Sequence, residues 1–370
     1  MTHITIAGKT YGPGRPLIAA ELGTGHGGDL KKAAELVAAA AEAGAGCIKT
    51  QFVYADEILH PNTGAVPLPG GTINLYERFK ALEQPPSFYA ALKALAEERG
   101  LLFLCSPFGP RSARELRALG PACVKIASPE LNYTRLLAEL RGWGLPLILS
   151  SGVAALSDID EAVRFLREGG ADTPLCLLHC VTCYPAPETE YNLRCLKTLS
   201  GVFGIPCGLS DHSLDWELAP VLAAALGAAV IEKHFCLSRA DPGLDDPIAL
   251  APADFARMTK AVSRAAALRP DDAISGLAAR RGAALVEAVL GDGVKRLAPS
   301  ERANYPRTRR SIHALRDIAA GETLREGMYA SLRTEKVLRP GLPPSWEPLL
   351  AGRAARQDIP AGEGIRFEDI

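Results

Sequence analysis

The chain has 370 residues, of which 48% are hydrophobic, enough to bury a large core and to divide into a large domain and a smaller one. Its 41 basic and 42 acidic residues create no overall field for nucleic acid or a membrane surface, so any anion site must be local, and only Lys295 to Arg316 is locally basic. The opening MTHITIAGKTYG lacks the features of a secretory signal, and the longest apolar run, LAPVLAAALGAAVI, is too short to span a bilayer; a cytoplasmic protein is expected.

Along the chain, short runs rich in Val, Ile and Leu alternate with longer Ala- and Leu-rich amphipathic stretches, the pattern of parallel strands joined by helices. Strands are predicted at 16–21, 46–51, 101–106, 122–128, 146–151, 174–180, 205–210 and 228–234. The helices between them include 30–44, 88–100, 113–120, 158–169, 216–227 and 253–268. Eight such units fit a closed α/β (TIM) barrel, (β/α)8, better than an open sheet, and in that barrel active sites are built where the strands end. The polar residues ending each strand therefore become candidates as a set: Glu21, Lys49 with Gln51, Ser106, Lys125 with Ser128, Ser150, His179 to Tyr184, Ser210 to His212, and Glu232 to His234.

The sixth strand carries Cys176, Cys180 and Cys183 at the C-x3-C-x2-C spacing of iron–sulfur enzymes. At about 3.3 Å per residue a strand would hold the first two roughly 13 Å apart, too far for one cluster. Nine cysteines in a chain with no export signal argue instead for reduced thiols.

From about 275 to 305 the pattern loosens, and a different unit begins near Arg307. It contains a gapless internal repeat, DIAAGETLREGM at 317–328 and DIPAGEGIRFED at 358–369, each placing Ala-Gly-Glu between short β-type segments. The expected division is a barrel over 1–275, a linker over 276–305 and a small β-rich domain over 306–370. So small a domain is expected to pack on something.

His212 and His234 would end adjacent strands about 4.8 Å apart, so both imidazoles could reach one divalent ion, with open positions that suit Mn2+ or Mg2+ better than structural Zn2+. The alternative is that each bonds a neighbouring backbone group. Lys49 and Lys125 lie in strands that read as buried and need an anionic partner. Ser106, Ser128, Ser150 and Ser210 offer hydroxyls and nearby amides of the kind that hold a phosphate or carboxylate, although each alone fits a structural role. Glu21 and Glu130 suit hydrogen bonds to sugar hydroxyls or proton transfer, or else ion pairs with lysine. Asp245, in DPGLDDP, either orients a substrate hydroxyl or forms a turn. The default reading of RTRRS at 307–311 is solvated charge.

In order, AELGTGHGG, KTQF, CSPF, KIAS, LILSSG, HC followed by YPAP, GLSDH, EKHF, PGLDD and RRS span nearly the whole chain. This series resembles the sialic acid synthase family, which condenses phosphoenolpyruvate with an N-acylated hexosamine. The resemblance implies the same barrel followed by an antifreeze-like (SAF) β-clip domain, which in the family covers the partner subunit's site in a domain-swapped homodimer. It implies that His212 and His234 bind the divalent ion and that Lys49, Lys125, Ser106, Ser128, Ser150 and Ser210 hold phosphoenolpyruvate. Glu21, Gln51, Glu130, Tyr184 and Asp245 would face the sugar, with Glu21 the favoured proton-transfer residue. Arg310, or alternatively Arg309, would reach the sugar's acyl group from the other subunit.

The chain departs from the family pattern at Gly25, where asparagine usually precedes the histidine, and at Thr182, where some relatives place asparagine. The long Pro/Gly-rich segment 54–79 suits a substrate loop. N-acetylmannosamine, its 6-phosphate and a di-N-acetylated deoxy sugar all remain as acceptors. Two rivals stand beside this reading: a Schiff-base aldolase using Lys49, Lys125 or Lys233, and a non-catalytic sugar-binding protein.

Overall fold

A computed structural model describes residues 2–68, 71–168, 173–335 and 337–370. Pro69 and Gly70 of the expected substrate loop, and Gly169 of the expected helix at 158–169, lie outside the described residues.

Eight parallel strands form the barrel: β1 (Leu17–Gly23), β2 (Cys47–Phe52), β3 (Leu102–Pro107), β4 (Val124–Ile126), β5 (Leu147–Ser150), β6 (Leu175–Cys180), β7 (Cys207–Asp211) and β8 (Val230–His234). Hydrogen bonding gives the order β3-β2-β1-β8-β7-β6-β5-β4, and β3 and β4 pack beside each other to leave the sheet nearly closed. All eight expected strands are present. A register shift between Glu21 and Gly23 interrupts the pairing of β1 with β2 near the rim.

The strands are buried on both faces, and their two-residue period sorts the side chains. Leu17, Ala19, Cys47, Leu104, Cys123, Ile148, Cys176, Leu178 and Val230 form one apolar cluster inside the cylinder. Their neighbours Ile18, Ile48, Phe103, Val124, Leu149, Leu177, Leu209 and Ile231 join the larger cluster between strands and helices. An N-terminal hairpin, Ile4–Ile6 with Lys9–Tyr11, inserts Ile4, Ile6 and Tyr11 into the inner cluster and plugs the end where the strands begin.

A helix follows each strand. Two of them, Thr134–Arg141 and Cys195–Phe203, are absent from the predicted helices. The helix Leu218–Ala225 is buried at every position because Pro252–Ala266, Pro270–Arg281 and Ala283–Leu290 cover it. The stretch where the sequence pattern loosens thus carries helix Ala283–Leu290. Pairs of Arg281 with Asp215 at 2.5 Å and Arg280 with Glu217 at 2.7 Å fasten this covering layer.

The small domain pairs β9 (Arg310–Ala314) with antiparallel β10 (Tyr329–Arg333) around a core of Ile312, Ile318, Leu324, Leu350, Ile359 and Ile365. Its two repeats meet reciprocally. Ile318 and Ile359 exchange backbone hydrogen bonds, while Asp317 accepts from the Ala361 amide and Asp358 from the Ala320 amide, both at 2.8 Å. Gly321 and Gly362 occupy matching turns with φ of 83° and 90°, a region that glycine enters without a Cβ penalty. All nine cysteines are free and eight are buried. No helix among the described residues is long and apolar enough to cross a membrane.

Candidate active site

The same two-residue alternation that puts Leu17 and Ala19 inside the barrel continues to Glu21 at the opposite end of β1. It also brings Lys49 and Gln51 inward on β2, Ser106 on β3, Lys125 on β4, Ser150 on β5, Cys180 on β6, Ser210 on β7 and Glu232 with His234 on β8. Gly208 lies on this inner column because an added Cβ would stand 2.1 Å from the Val230 carbonyl oxygen.

These groups meet. Lys49 Nζ lies 2.6 Å from Glu21 Oε2, and Gln51 approaches the other oxygen at 3.5 Å. Lys125 donates to Ser150 Oγ at 2.6 Å and faces Glu232 at 3.8 Å, while Ser210 donates to Glu232 at 2.8 Å. Asp245, from the loop past β8, lies 3.8 Å from His234, and a Cβ at Gly23 would touch Asp245, Glu21 and Gln51 together. The Tyr184 ring stacks on His212 at 4.3 Å, and the His212 and His234 rings are 5.4 Å apart. Ser128 accepts from the Gly152 amide at 3.0 Å, where a Cβ would collide with Thr182 and press on Ser128 and Cys180.

Several polar atoms here have no hydrogen-bond partner among the described residues: Ser106 Oγ, Glu232 Oε2 and His234 Nδ1. Such groups are costly unless something supplied from outside satisfies them. Lys233, on the outer face, shows the contrast: its ammonium is saturated by Asp211, the Ser213 carbonyl and hydroxyl, and the Asp215 carbonyl. His179 also faces outward and bonds the Tyr191 carbonyl.

Electrostatics divides the two inner carboxylates. Burial raises Glu21 to about 8, against the pull of Lys49 and with help from Glu232 and Asp245. Burial also opposes ionisation of Glu232, but Lys125, Lys49 and the Ser210 hydroxyl outweigh it and hold it near 2. Burial, His212 and Lys49 keep His234 well below the usual histidine range, so its ring is neutral. Burial works against the charged form of His212 as well, yet Cys180 and the Val181 carbonyl carry it to about 9.

The residues suit a divalent cation in part. His234 offers an unpartnered buried nitrogen, and His212, with Nδ1 on the Val181 carbonyl at 2.8 Å, turns Nε2 toward Tyr184 OH. No group of three or more His, Cys, Asp or Glu among the described residues is arranged to ligate a metal, so such an ion would take most of its ligands from solvent or substrate.

Glu130 and Arg310 are joined to each other rather than to the histidines. Arg310, 2% exposed, donates to Glu130 Oε1 at 2.8 and 3.1 Å and spends its other N–H groups on carbonyls of Glu57, Phe108 and Ser331. Arg333 adds a second guanidinium on Glu130 at 2.8 Å, and Arg309 pairs with Asp158 at 2.9 Å. Arg310 therefore clasps the small domain to the barrel of its own chain, whereas the resemblance sends it to the other subunit. Two inward groups, Glu232 and Cys180, belong to the candidate strand-end set but carry no individual role in the sequence reading, although counting alternate positions back from His234 and forward from Cys176 turns both inward.

The NeuB family model matches residues 36–272 and the SAF domain model residues 309–370. The chain is 33% identical to the spore coat polysaccharide biosynthesis protein SpsE of Bacillus subtilis, over all of this chain and 98% of that one. The crystal structure of that protein superposes with a TM-score of 0.82, covering 100% of this chain and 99% of the other. The N,N'-diacetyllegionaminic acid synthase of Legionella pneumophila is 31% identical over 95% of this chain and 94% of its own. The pseudaminic acid synthase of Campylobacter jejuni (strain 81-176) is 32% identical over 95% and 96%. With the barrel, the converging strand ends and these likenesses together, the chain belongs to the NeuB family and ends in a SAF domain.

Proposed function

We propose that this protein is a nonulosonic (sialic-type) acid synthase, which condenses phosphoenolpyruvate with the aldehyde of an N-acylated hexosamine and water and releases phosphate by C–O cleavage. The observation that carries this reading is the inner ring of charge: two buried ammonium groups, Lys49 and Lys125, beside carboxylates and hydroxyls whose lone pairs are not all used. A small, highly anionic substrate completes such a ring. The relatives named as legionaminic and pseudaminic acid synthases support the product class.

Lys49, Lys125, Ser106, Ser128, Ser150 and Ser210 hold the phosphate and carboxylate, while Gln51, Tyr184 and Asp245 orient the sugar. The enol carbon attacks the aldehyde carbon, and Glu21, protonated at neutral pH, gives its proton to the oxygen as it becomes an alkoxide. Water then adds at the phosphate-bearing carbon and returns a proton to Glu21. The tetrahedral intermediate loses phosphate as its hydroxyl becomes the ketone. A divalent ion, Mn2+ or Mg2+, held by His212 and His234 would polarise the aldehyde when bound. Holding and charge neutralisation are the protein's main contribution.

The domain reading is a catalytic barrel over 1–275, a linker over 276–305 and the antifreeze-like domain over 306–370. In a dimer that exchanges the small domain, the Arg310–Glu130 pair would form between chains. Mixing inactive Arg310→Ala and His234→Ala chains would then restore some activity. The deciding experiment measures phosphate release from phosphoenolpyruvate with N-acetylmannosamine, its 6-phosphate and a di-N-acetylated deoxy sugar, with and without chelator, and weighs the product. Borohydride trapping with a keto acid, or sugar binding without phosphate release, would overturn the reading.

A further inference from the structure

The segment between the barrel and the small domain reaches the site through a buried carboxylate. Glu301, 1% exposed, accepts from the Val153 amide and from the Thr182 amide, both at 2.7 Å, through Oε1, and from the Ala298 amide at 3.1 Å through Oε2. Val153 follows the Ser150–Gly152 turn of β5, and Thr182 follows the Cys180 end of β6. Val153 has φ of 43°, a left-handed conformation that a β-branched residue keeps only when its surroundings enforce it. Lys295 of the same segment donates to the Ser151 carbonyl at 3.1 Å, and Ser300 donates its amide to Glu190 at 3.0 Å.

We infer that Glu301 is a positioning residue: it draws the β5 and β6 loops together so that the Gly152 amide, Ser128 and Thr182 form one wall of the anion-binding part of the site. No side chain longer than hydrogen fits at Gly152, because a Cβ would stand 1.9 Å from Thr182 Oγ1, so the wall depends on how closely the two loops approach. A carboxylate oxygen bonding two amides from different loops sets that approach, and charge-assisted bonds of this kind are stronger than neutral ones. The inference rests on the synthase reading only for the identity of the anion.

Glu301→Ala and Glu301→Gln test it. The glutamine carbonyl can still accept both amides, whereas alanine leaves them unpaired. Glu301→Ala is expected to raise KM for phosphoenolpyruvate about tenfold or more while KM for the sugar stays near that of the parent, with most of the loss recovered in Glu301→Gln. Hydrogen exchange at peptides containing Val153 and Thr182, measured without substrate, should quicken in Glu301→Ala and return toward the parent in Glu301→Gln. A fall in active protein with KM unchanged, or unaltered exchange at both loops in the folded alanine variant, would overturn it. If the parent chain released no phosphate with any acceptor, the synthase reading would fail while the exchange comparison still judged Glu301.

Discussion

The two ends of the barrel come from the same eight strands and the same alternation, yet they are opposites in chemistry. Where the strands begin, the interior holds Leu17, Cys47, Leu104, Cys123, Ile148, Cys176 and Val230 under the apolar hairpin. Where they end, the same column of positions holds Glu21, Lys49, Lys125, Glu232 and His234, several with unspent hydrogen-bonding capacity. The first end is finished by the protein itself. The second is left for something else to finish, which is how a fold devotes one end to stability and the other to function.

Substitutions at the two ends should therefore fail differently. Lys125→Met is expected to lower kcat/KM by at least about 1000-fold, near 4 kcal/mol of transition-state stabilisation. The double variant Lys125→Met with Glu232→Leu should be just as inactive but neutral to about 4 kcal/mol more stable in denaturant unfolding, as buried charge pairs replaced by apolar groups of similar volume often are. A strong destabilisation of that double variant would break the contrast.

Lys233→Met tests the contrast on the outer face of β8. It strands Asp211 without its ammonium partner and should cost roughly 3–5 kcal/mol of stability. At the plugged end, Leu104→Ala should cost about 2–5 kcal/mol and leave KM for both substrates unchanged in the protein that remains folded.

The smallest expected effect sharpens the comparison by pH. Because burial lifts the Glu21 carboxyl to about 8, the folded chain holds a proton that the unfolded chain releases near 4.5. Stability from this group is complete below pH 4.5 and is lost as pH rises toward 8. Denaturant unfolding from pH 5 to 8.5 should show this decline in the parent chain and not in Glu21→Gln.

The strands were legible because doubly buried parallel strands are continuous apolar runs with abrupt ends. The collection of polar groups at their ends was legible for the same reason. Which of those groups face inward was also within reach: Lys49 and Lys125 share the parity of the inner leucines and alanines, and Lys233 and His179 do not. Helices Thr134–Arg141 and Cys195–Phe203 were harder, being only two turns or so long. The clasp of Arg310 on Glu130 joins residues 180 positions apart, a pairing that no local pattern encodes. Glu301 was hidden for a similar reason, since two of its three amide partners, Val153 and Thr182, belong to distant loops.

The arginine clasp also sets a clock. Every N–H group of that guanidinium is spent, so lifting the small domain from its seat would break its bonds to Glu130, Glu57 and Phe108 of the barrel together. Release of the domain from a finished chain is therefore expected to be slow. If two chains trade these domains, hybrid oligomers should form more readily when the two variants are renatured or synthesised together than when purified stocks are blended.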